Sequence, residues 1–388
     1  MRVTGSPIRE LPESCEDLGH RFRWIHTGTA AFDSIVAMID AAESRVDFEF
    51  YTVAPGFASD RIGEALKRAA RRGLRVRVLI DSFGSSSINA VWINQLRREG
   101  AEVRRFNPRP LLRLSFRNHR KLVVCDDRSA FIGGFNVASE YEGDGIAKGW
   151  RDFGVAIDGP VAADLSHGFT AMFNSSDFMR AQLPALARYL RTQPILRDAP
   201  AALSGGPGGS RAWMRRTLHA DLKKAQRVDA IAAYFAPSRR IRRLLRRVSR
   251  RGHVRILLAG KSDVPVARWA SQWLYPAMLR NGVSLWEYQP QILHAKVLVV
   301  DDVVYVGSAN LDTRSLQLNF ELLVRLPSAM LAAQVRQRID FDCSLAKAVP
   351  ADWPRRRTLL QRLVHSWSYF LLTKLDPFLA RKEFRHLS

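Results

Sequence analysis

The chain has 388 residues, of which 47% are hydrophobic, and its 60 Lys and Arg against 37 Asp and Glu give a net charge of +23 at pH 7. This length and apolar fraction suffice for two domains with complete cores and exclude an intrinsically disordered chain. The charge favours a polyanionic partner, either nucleic acid or an anionic lipid surface, and does not choose between them.

In chain order, the N-terminal segment 1–20 is polar and lacks the apolar core of a signal peptide. No later stretch has the roughly 18 uncharged apolar residues of a membrane span. Cys15, Cys125 and Cys343 are widely spaced and form no metal-binding pattern, which favours a reducing compartment. We therefore expect a chain that lies in the cytosol or on a membrane surface.

A duplicated order of elements follows. Two sets of segments read as strand, basic helix and strand: 45–53, 61–72 and 76–80 in the first half, and 227–235, 238–251 and 254–258 in the second. Each set leads to a His-x-Lys motif. Strands that alternate with helices predict a layered α/β fold. Two equivalent halves predict a pseudo-two-fold axis, with any shared site at their junction.

The segments between and after the halves differ in composition. Residues 200–210 are rich in Gly, Ser and Pro, which predicts a flexible linker. Beyond Pro350, leucines and aromatics recur at helical spacing beside arginines, and this pattern predicts an amphipathic helix. We expect a first domain over 1–197, a linker over 198–211, a second domain over 212–346 and a basic tail over 347–388. Whether the tail binds a membrane or packs on the second domain stays open.

The two motifs place His119 with Lys121, and His294 with Lys296, at the start of predicted buried strands. Residues i and i+2 of a strand point the same way, so each motif presents an imidazole beside an ammonium group. Two such pairs suit a phosphodiester. The cations stabilise charge on the non-bridging oxygens, one imidazole attacks phosphorus, and the other protonates the leaving oxygen. We expect no metal, because the lysines supply the positive charge.

Further residues recur at matching places in the two halves. An aspartate follows each motif strand, and a Gly-Gly or Gly-Ser pair then precedes an asparagine: Asp126, Gly134 and Asn136 in the first half, and Asp301, Ser308 and Asn310 in the second. Small residues let a phosphate approach closely, and asparagine offers an uncharged donor. The aspartates are candidates for a catalytic role, with the alternative that each is a turn residue at the end of its strand.

This duplicated pattern resembles the signature of the phospholipase D superfamily over roughly residues 21–342. The resemblance implies two similar α-β-α sandwich domains with the active site at their interface, a covalent phosphohistidine intermediate, and neither metal nor cofactor. It implies that His119 is the nucleophile and His294 the general acid. It also implies an acidic residue on a neighbouring strand behind each histidine, with Asp152 in that place in the first half and Glu321 in the second. Strand-edge charges are the alternative for these two.

Several stretches resemble the bacterial cardiolipin synthases of this superfamily, in the shorter branch without N-terminal transmembrane helices: 118–121, 133–136, 140–141, 150–152, 234–237 and 307–315. The resemblance implies transfer of a phosphatidyl group from phosphatidylglycerol to a second phospholipid, and it leaves the acceptor open. The implied partners are anionic phospholipids, phosphatidylglycerol and cardiolipin. The implied location is peripheral, on the cytoplasmic face of the cell membrane.

Three other functions use the same residues or the same fold. A phospholipase D hydrolase would use water as acceptor, and a nuclease would bind phosphate backbones with the basic surface. Nucleic acid is disfavoured because no aromatic stacking platform is evident. An inactive scaffold is disfavoured because both motifs are intact. A basic and apolar loop over 104–117 is a further candidate for membrane contact, and the oligomeric state stays open.

Overall fold

The computed structural model describes residues 14–107, 117–176, 198–206 and 211–375. Most of the predicted membrane-contact loop over 104–117 lies outside the described residues, as do residues 207–210 of the predicted linker.

The first half forms an eight-stranded mixed sheet with helices on both faces. Its strands are β1 (Cys15–Asp17), β2 (His20–Ile25), β3 (Arg45–Phe50), β4 (Arg75–Asp81), β5 (Glu102–Phe106), β6 (Lys121–Cys125), β7 (Ser129–Gly133) and β8 (Gly154–Asp158). Its helices are α1 (Gly28–Ala41), α2 (Phe57–Arg71), α3 (Ala90–Arg98) and α4 (Val161–Asn174), with a 3-10 turn at Ser139–Tyr141. The strand order is β1-β2-β8-β7-β6-β3-β4-β5.

The second half repeats this plan. Its strands are β9 (Ala201–Gly205), β10 (Arg227–Ala232), β11 (Phe235–Ala236), β12 (His253–Ala259), β13 (Ser284–Tyr288), β14 (Lys296–Val300), β15 (Val303–Gly307), β16 (Leu311–Asp312), β17 (Glu321–Pro327) and β18 (Ala346–Ala348). Its helices are α5 (Arg211–Lys224), α6 (Arg239–Arg251), α7 (Pro265–Arg280), α8 (Thr313–Gln317), α9 (Ala329–Ser344) and α10 (Leu359–Phe370), with turns at Trp353–Arg356 and Leu371–Leu375.

The two main sheets have the same topology. Seven strands in the order β2-β8-β7-β6-β3-β4-β5 correspond to β9-β17-β15-β14-β10-β12-β13. In both sheets the last three strands of that order are parallel, and the others pair antiparallel. The predicted α/β duplication is therefore confirmed, down to the direction of each strand.

The predicted linker is partly a strand. Residues Ala201–Gly205 form β9, which is buried and pairs with β17 along its whole length. It occupies the place that β2 has in the first sheet, immediately before the first helix of its half. The linker prediction was wrong here because the apolar run 201–203 is short and stands beside the Gly-rich residues that dominated the composition.

Apolar residues form three cores. Helices α1, α2 and α3 cover the outer face of the first sheet, and α5, α6 and α7 cover that of the second. A central core lies between the sheets and contains α4 and α9. Strand β6 shows why the fold is layered, since Leu122 and Val124 face the central core while Val123 and Cys125 face the outer one. The two halves therefore share one continuous interior.

The predicted tail contains β18, which extends the second sheet, and helix α10, which packs against α7. Thr358 begins α10 with a capping box, accepting from the Gln361 amide while the Gln361 side chain accepts from the Thr358 amide. Within the described ranges, no helix combines the length and apolarity that crossing a bilayer requires.

Candidate active site

Two backbone bridges across the pseudo-two-fold axis bring the motif histidines to one place. The His119 amide donates to the carbonyl of Phe320, at 2.9 Å, and the His294 amide donates to the carbonyl of Arg151, at 2.7 Å. Each histidine therefore stands immediately before its own motif strand and is held by the entry to an outer strand of the other half. The site forms only where the halves meet.

Buried side chains of the first sheet fix the segment that carries His119. The Asn118 amide donates to Asp81, at 2.8 Å, and its side chain donates to Glu49, at 2.7 Å. Arg120 points the opposite way from its neighbours and forms a buried ion pair with Glu49, at 3.2 Å. Because alternate residues of an extended segment face opposite sides, anchoring Asn118 and Arg120 inward directs His119 toward the junction.

Glu321 lies against the His119 ring. Its Oε2 atom is 3.1 Å from His119 Nδ1, and it also accepts hydrogen bonds from the Ser308 hydroxyl, at 2.5 Å, and the Asn319 amide, at 3.2 Å through Oε1. A carboxylate at Nδ1 fixes the tautomer that leaves Nε2 free to act as a nucleophile or base. Burial lowers the pKa of His119, and Glu321 opposes that shift. The imidazole is therefore kept neutral, as attack on phosphorus requires.

Asp152 has the same place at His294. Its Oδ2 atom is 2.7 Å from His294 Nδ1, and Lys296 Nζ and the Tyr141 hydroxyl lie 2.8 and 3.0 Å from that nitrogen. Burial lowers the pKa of His294 well below its ordinary value, and the Lys296 charge adds to the shift. Burial also raises the pKa of Asp152 to about 7, although Lys296 opposes this.

The two acids are exchanged between the halves. The resemblance to the superfamily implies Asp152 behind the first-half histidine and Glu321 behind the second. The structure pairs Asp152 with His294 and Glu321 with His119. The choice of these two acids holds, but each lies behind the histidine of the other half. The cause is the backbone bridging, which sets Phe320 beside residues 117–119 and Arg151 beside residues 292–294.

Lys121 and Lys296 are buried behind their histidines. Each ammonium group donates to the backbone carbonyl of the histidine two residues earlier, Lys121 to His119 at 2.7 Å and Lys296 to His294. Burial lowers the pKa of Lys121 well below its ordinary value and that of Lys296 to about 8. Two cations so close to the histidines attract an anionic phosphodiester, which replaces the missing solvation.

The small residues after the motifs make room for the acids. A Cβ atom at Gly134 would lie 2.1 Å from Asp152 Oδ1, so no side chain fits there. In the second half, Ser308 takes the equivalent place and uses its hydroxyl to hold Glu321. The residues predicted to let phosphate approach instead make room for the shorter acid in one half and orient the longer acid in the other.

Asp126 and Asp301 are not in the site. Each follows the far end of its motif strand, and the five steps along a strand from Lys121 to Asp126 span about 16 Å. Asp126 accepts hydrogen bonds from the amides of Glu43, Ser44 and Arg45, and Asp301 accepts from those of residues 226 and 227. Their catalytic assignment was therefore wrong. They tie the motif strand to the start of the neighbouring central strand.

A cavity of about 650 Å³ opens at the junction, with His119, His294, Asn136 and Asn310 on its wall. Among the described residues, Oδ1 of neither asparagine accepts a hydrogen bond, although both atoms are buried. The hydroxyl group of an incoming substrate can donate to these oxygens, while the amide NH₂ groups can donate to a phosphate. The geometry supports the predicted ligand-contacting role of the asparagines.

Other residues of the cavity wall were not predicted as site residues: Tyr51, Phe83, Arg117, Tyr141, Trp150, Tyr234, Asp263, Arg314 and Leu372. Tyr141, Trp150, Tyr234 and Arg314 belong to stretches that resemble cardiolipin synthases, and that was the available signal. Nothing in the local sequence distinguishes Phe83 or Leu372. The described residues include no group of three or more His, Cys, Asp or Glu arranged to hold a metal ion.

Comparison with known proteins places this site in a family. The family model described as "Cardiolipin synthase, PLD-like domain" matches twice, over residues 35–159 and 218–342. The cardiolipin synthase A of Pseudomonas putida is 35% identical over 353 residues, which cover 87% of this chain and 71% of that protein. The cardiolipin synthase of Geobacillus kaustophilus is 34% identical over 310 residues, which cover 76% and 60%.

Among solved structures, phosphatidylserine synthase of Haemophilus influenzae has the same fold. It superposes with a TM-score of 0.71 at 15% identity and covers 92% of this chain and 94% of its own. The duplicated family match, with relatives of this identity over most of the chain, shows that the protein belongs to the cardiolipin synthase family of phospholipase D-like proteins.

Proposed function

We propose that the protein makes cardiolipin by transferring a phosphatidyl group from phosphatidylglycerol to a second phospholipid. The observation that carries this proposal is the pair of histidine–carboxylate contacts, which face one cavity from opposite halves. Such a pair provides a nucleophile on one side of a phosphodiester and a proton donor on the other. The family of the chain supports the choice of lipid substrates.

The reaction has two displacements at one phosphorus. In the first, Nε2 of His119 attacks the phosphorus of the donor, the phosphorus–oxygen bond to the headgroup glycerol breaks, and His294 protonates the departing alkoxide. His294 enters this step as an imidazolium, which the negative charge of the bound phosphodiester favours against the effect of burial. In the second, the neutral His294 removes a proton from the acceptor hydroxyl, which attacks phosphorus and releases His119. The lysine ammonium groups stabilise the charge that develops on the non-bridging oxygens in both steps.

The location that suits this reaction is the cytoplasmic face of the cell membrane, with the protein bound peripherally. Both proposed substrates are bilayer lipids, and phosphatidylglycerol is anionic. A protein of net charge +23 is attracted to such a surface by roughly 1 kcal/mol for each Lys or Arg near it.

Mass spectrometry of the products tests the proposal. The purified protein with dispersed phosphatidylglycerol, with or without phosphatidylethanolamine, should yield cardiolipin and free glycerol. His119→Ala and His294→Ala should each lower turnover at least 10³-fold, since each loses a group that acts in both steps. His167→Ala removes an exposed histidine of α4 and serves as the matched control. Phosphatidic acid as the main product would instead identify a hydrolase.

Rapid acid-free quenching distinguishes the two histidines. During turnover the protein should carry a phosphatidyl adduct on His119, which peptide mapping locates. An adduct found only on His294 would reverse the assignment of nucleophile and general acid.

Chelation tests the proposed source of positive charge. If Lys121 and Lys296 stabilise the phosphoryl oxygens, turnover should be unchanged in excess EDTA. Loss of turnover that Mg²⁺ or Zn²⁺ restores would contradict this part of the proposal.

A further inference from the structure

Helix α10 has an apolar side that no described residue covers. Its His365 and Ser368 are buried against the second domain, whereas the residues on the other side are 63–76% exposed: Leu359, Leu360, Leu363 and Trp367. Contiguous exposed apolar residues of this kind mark a surface that another body covers. The side of α10 that faces solvent is thus the more apolar one, which is the reverse of an ordinary surface helix.

A strongly basic helix lies next to it. Arg242 of α6 sits over the ring of Tyr369 of α10, with 5.7 Å between the guanidinium carbon and the ring centroid. From Arg239 to Arg251, α6 contains eight arginines and no acidic residue. Its four apolar residues are buried. The opposite side therefore carries an exposed stripe at helical spacing: Arg239, Arg243, Arg246 and Arg250.

The apolar surface continues to the active-site cavity. Leu372, in the turn that follows α10, belongs to the cavity wall. Phe83 of the first half and Val264 of the second also line the cavity and are 49% and 39% exposed. An acyl chain attached to a phosphate in the cavity would leave it through an apolar rim that joins α10.

We infer that the apolar side of α10 and the arginine stripe of α6 form one docking surface for an anionic lipid bilayer, which sets the mouth of the cavity at the membrane. The inference rests on the proposed function for the identity of the substrate, and the surface itself is independent of it. Arginines attract the lipid phosphates, while leucines and Trp367 enter the interface below them.

Other occupants fit this surface less well. Nucleic acid would use the arginines but would leave the exposed leucines in water. A second copy of the chain would bring two arginine stripes of like charge toward each other, which opposes association. Of these three occupants, a lipid surface is the one that uses both the charge of α6 and the apolar side of α10.

Two sets of variants of the full chain test the surface by flotation with vesicles of phosphatidylglycerol and phosphatidylcholine. L363S/W367S shortens the apolar side, and R239Q/R243Q/R246Q removes three charges. We expect each to lower the vesicle partition coefficient by roughly tenfold or more. High salt should weaken the binding of the wild type and of L363S/W367S, and should have less effect on the arginine variant.

Matched control variants lie at the other end of the molecule. Met330 is 41% exposed and follows the end of β17 remote from Glu321, so M330S controls for loss of an exposed apolar side chain. R21Q/R75Q/R98Q removes three exposed arginines near the strand ends remote from the cavity. Both should bind vesicles as the wild type does. Equal binding by the test variants and these controls would overturn the inference.

A conservative variant covers the case in which L363S/W367S fails to fold. Brominated lipid should quench the fluorescence of the wild type more than that of W367F, because Trp367 enters the interface. If acrylamide cannot quench Trp367 in the lipid-free protein, another part of the chain or a second copy covers this side, and the inference fails. Binding of duplex DNA through the arginines, with vesicle binding indifferent to lipid charge, would also overturn it.

Turnover separates this inference from the proposed function. Variants of the docking surface should lose activity on vesicles and keep it on short-chain substrate dispersed in detergent. Vesicle binding through this surface by a protein that makes no cardiolipin would refute the function and leave the surface standing. Cardiolipin synthesis on vesicles that is equally fast in all variants would refute the docking surface and leave the proposed function standing.

Discussion

At the scale of single residues, each motif histidine depends on a carboxylate from the other half. Glu321→Gln and Asp152→Asn keep the size of the side chain and remove its charge. We expect each to lower kcat by about 10²- to 10⁴-fold, because an amide neither fixes the histidine tautomer nor stabilises the imidazolium. Glu102→Gln, at the exposed start of β5, is the control. A folded variant of either acid with the kcat of the wild type would contradict the assigned role.

The pKa of Lys296 predicts how KM for the substrate depends on pH. Burial lowers its pKa to about 8, so its ammonium group is charged below that pH and neutral above it. Because the charge attracts the phosphodiester, KM should rise as the pH increases through about 8. Lys296→Arg stays charged over this range, and its KM should not rise there. A wild-type KM that is constant from pH 7 to 9.5 would argue against a charged Lys296 in substrate binding.

At the scale of elements, Asp126 and Asp301 secure the junction between a motif strand and its neighbour. Both have left-handed backbones, with φ of 55° and 47°, and their carboxylates accept from several amides. Asp126→Ala should cost about 1–3 kcal/mol of unfolding free energy, since the amides lose their acceptor. kcat should be nearly unchanged. Denaturant titration beside kinetics checks this, and a large loss of kcat in a stable variant would restore a catalytic role.

Among these elements, the sequence predicts the strands that carry the motifs and misses the contacts between the two halves. The duplicated His-x-Lys strands and the choice of Asp152 and Glu321 follow from local patterns, and the fold follows from their order. The remote position of Asp126 was also within reach, because a strand of known length fixes the distance. The exchange of the acids was not, since it depends on backbone bridges between residues far apart in the chain. Strand β9 was missed because three apolar residues carry too little periodicity.

At the scale of the whole molecule, a buried ion pair joins the halves beside the site. Arg151 donates to Asp342 of α9, at 2.8 Å, and also to the carbonyl of His26. Arg151→Ala would leave the buried Asp342 with only its longer contact to Arg338, at 3.4 Å, which should cost up to about 3–5 kcal/mol of unfolding free energy. kcat should also fall, because the Arg151 backbone holds His294.

Unfolding in denaturant and kcat measured on the same samples test this prediction. Arg68→Ala breaks an exposed ion pair with Asp40 and is the control, with an expected cost of at most about 1 kcal/mol. Equal losses of unfolding free energy in the two variants would show that the buried ion pair between the halves contributes no more than an exposed one.

The exchange of acids has a consequence for the newly made chain. His119 leaves the ribosome 202 residues before Glu321, the carboxylate that orients it. While the second half is still being translated, the histidine of the first half has no partner to set its tautomer. The same holds in reverse for a second half that is cut off from the first, because Asp152 is missing. Neither half alone has a histidine that a carboxylate orients. The protein therefore becomes active on lipids only after both halves have been synthesised and have come together.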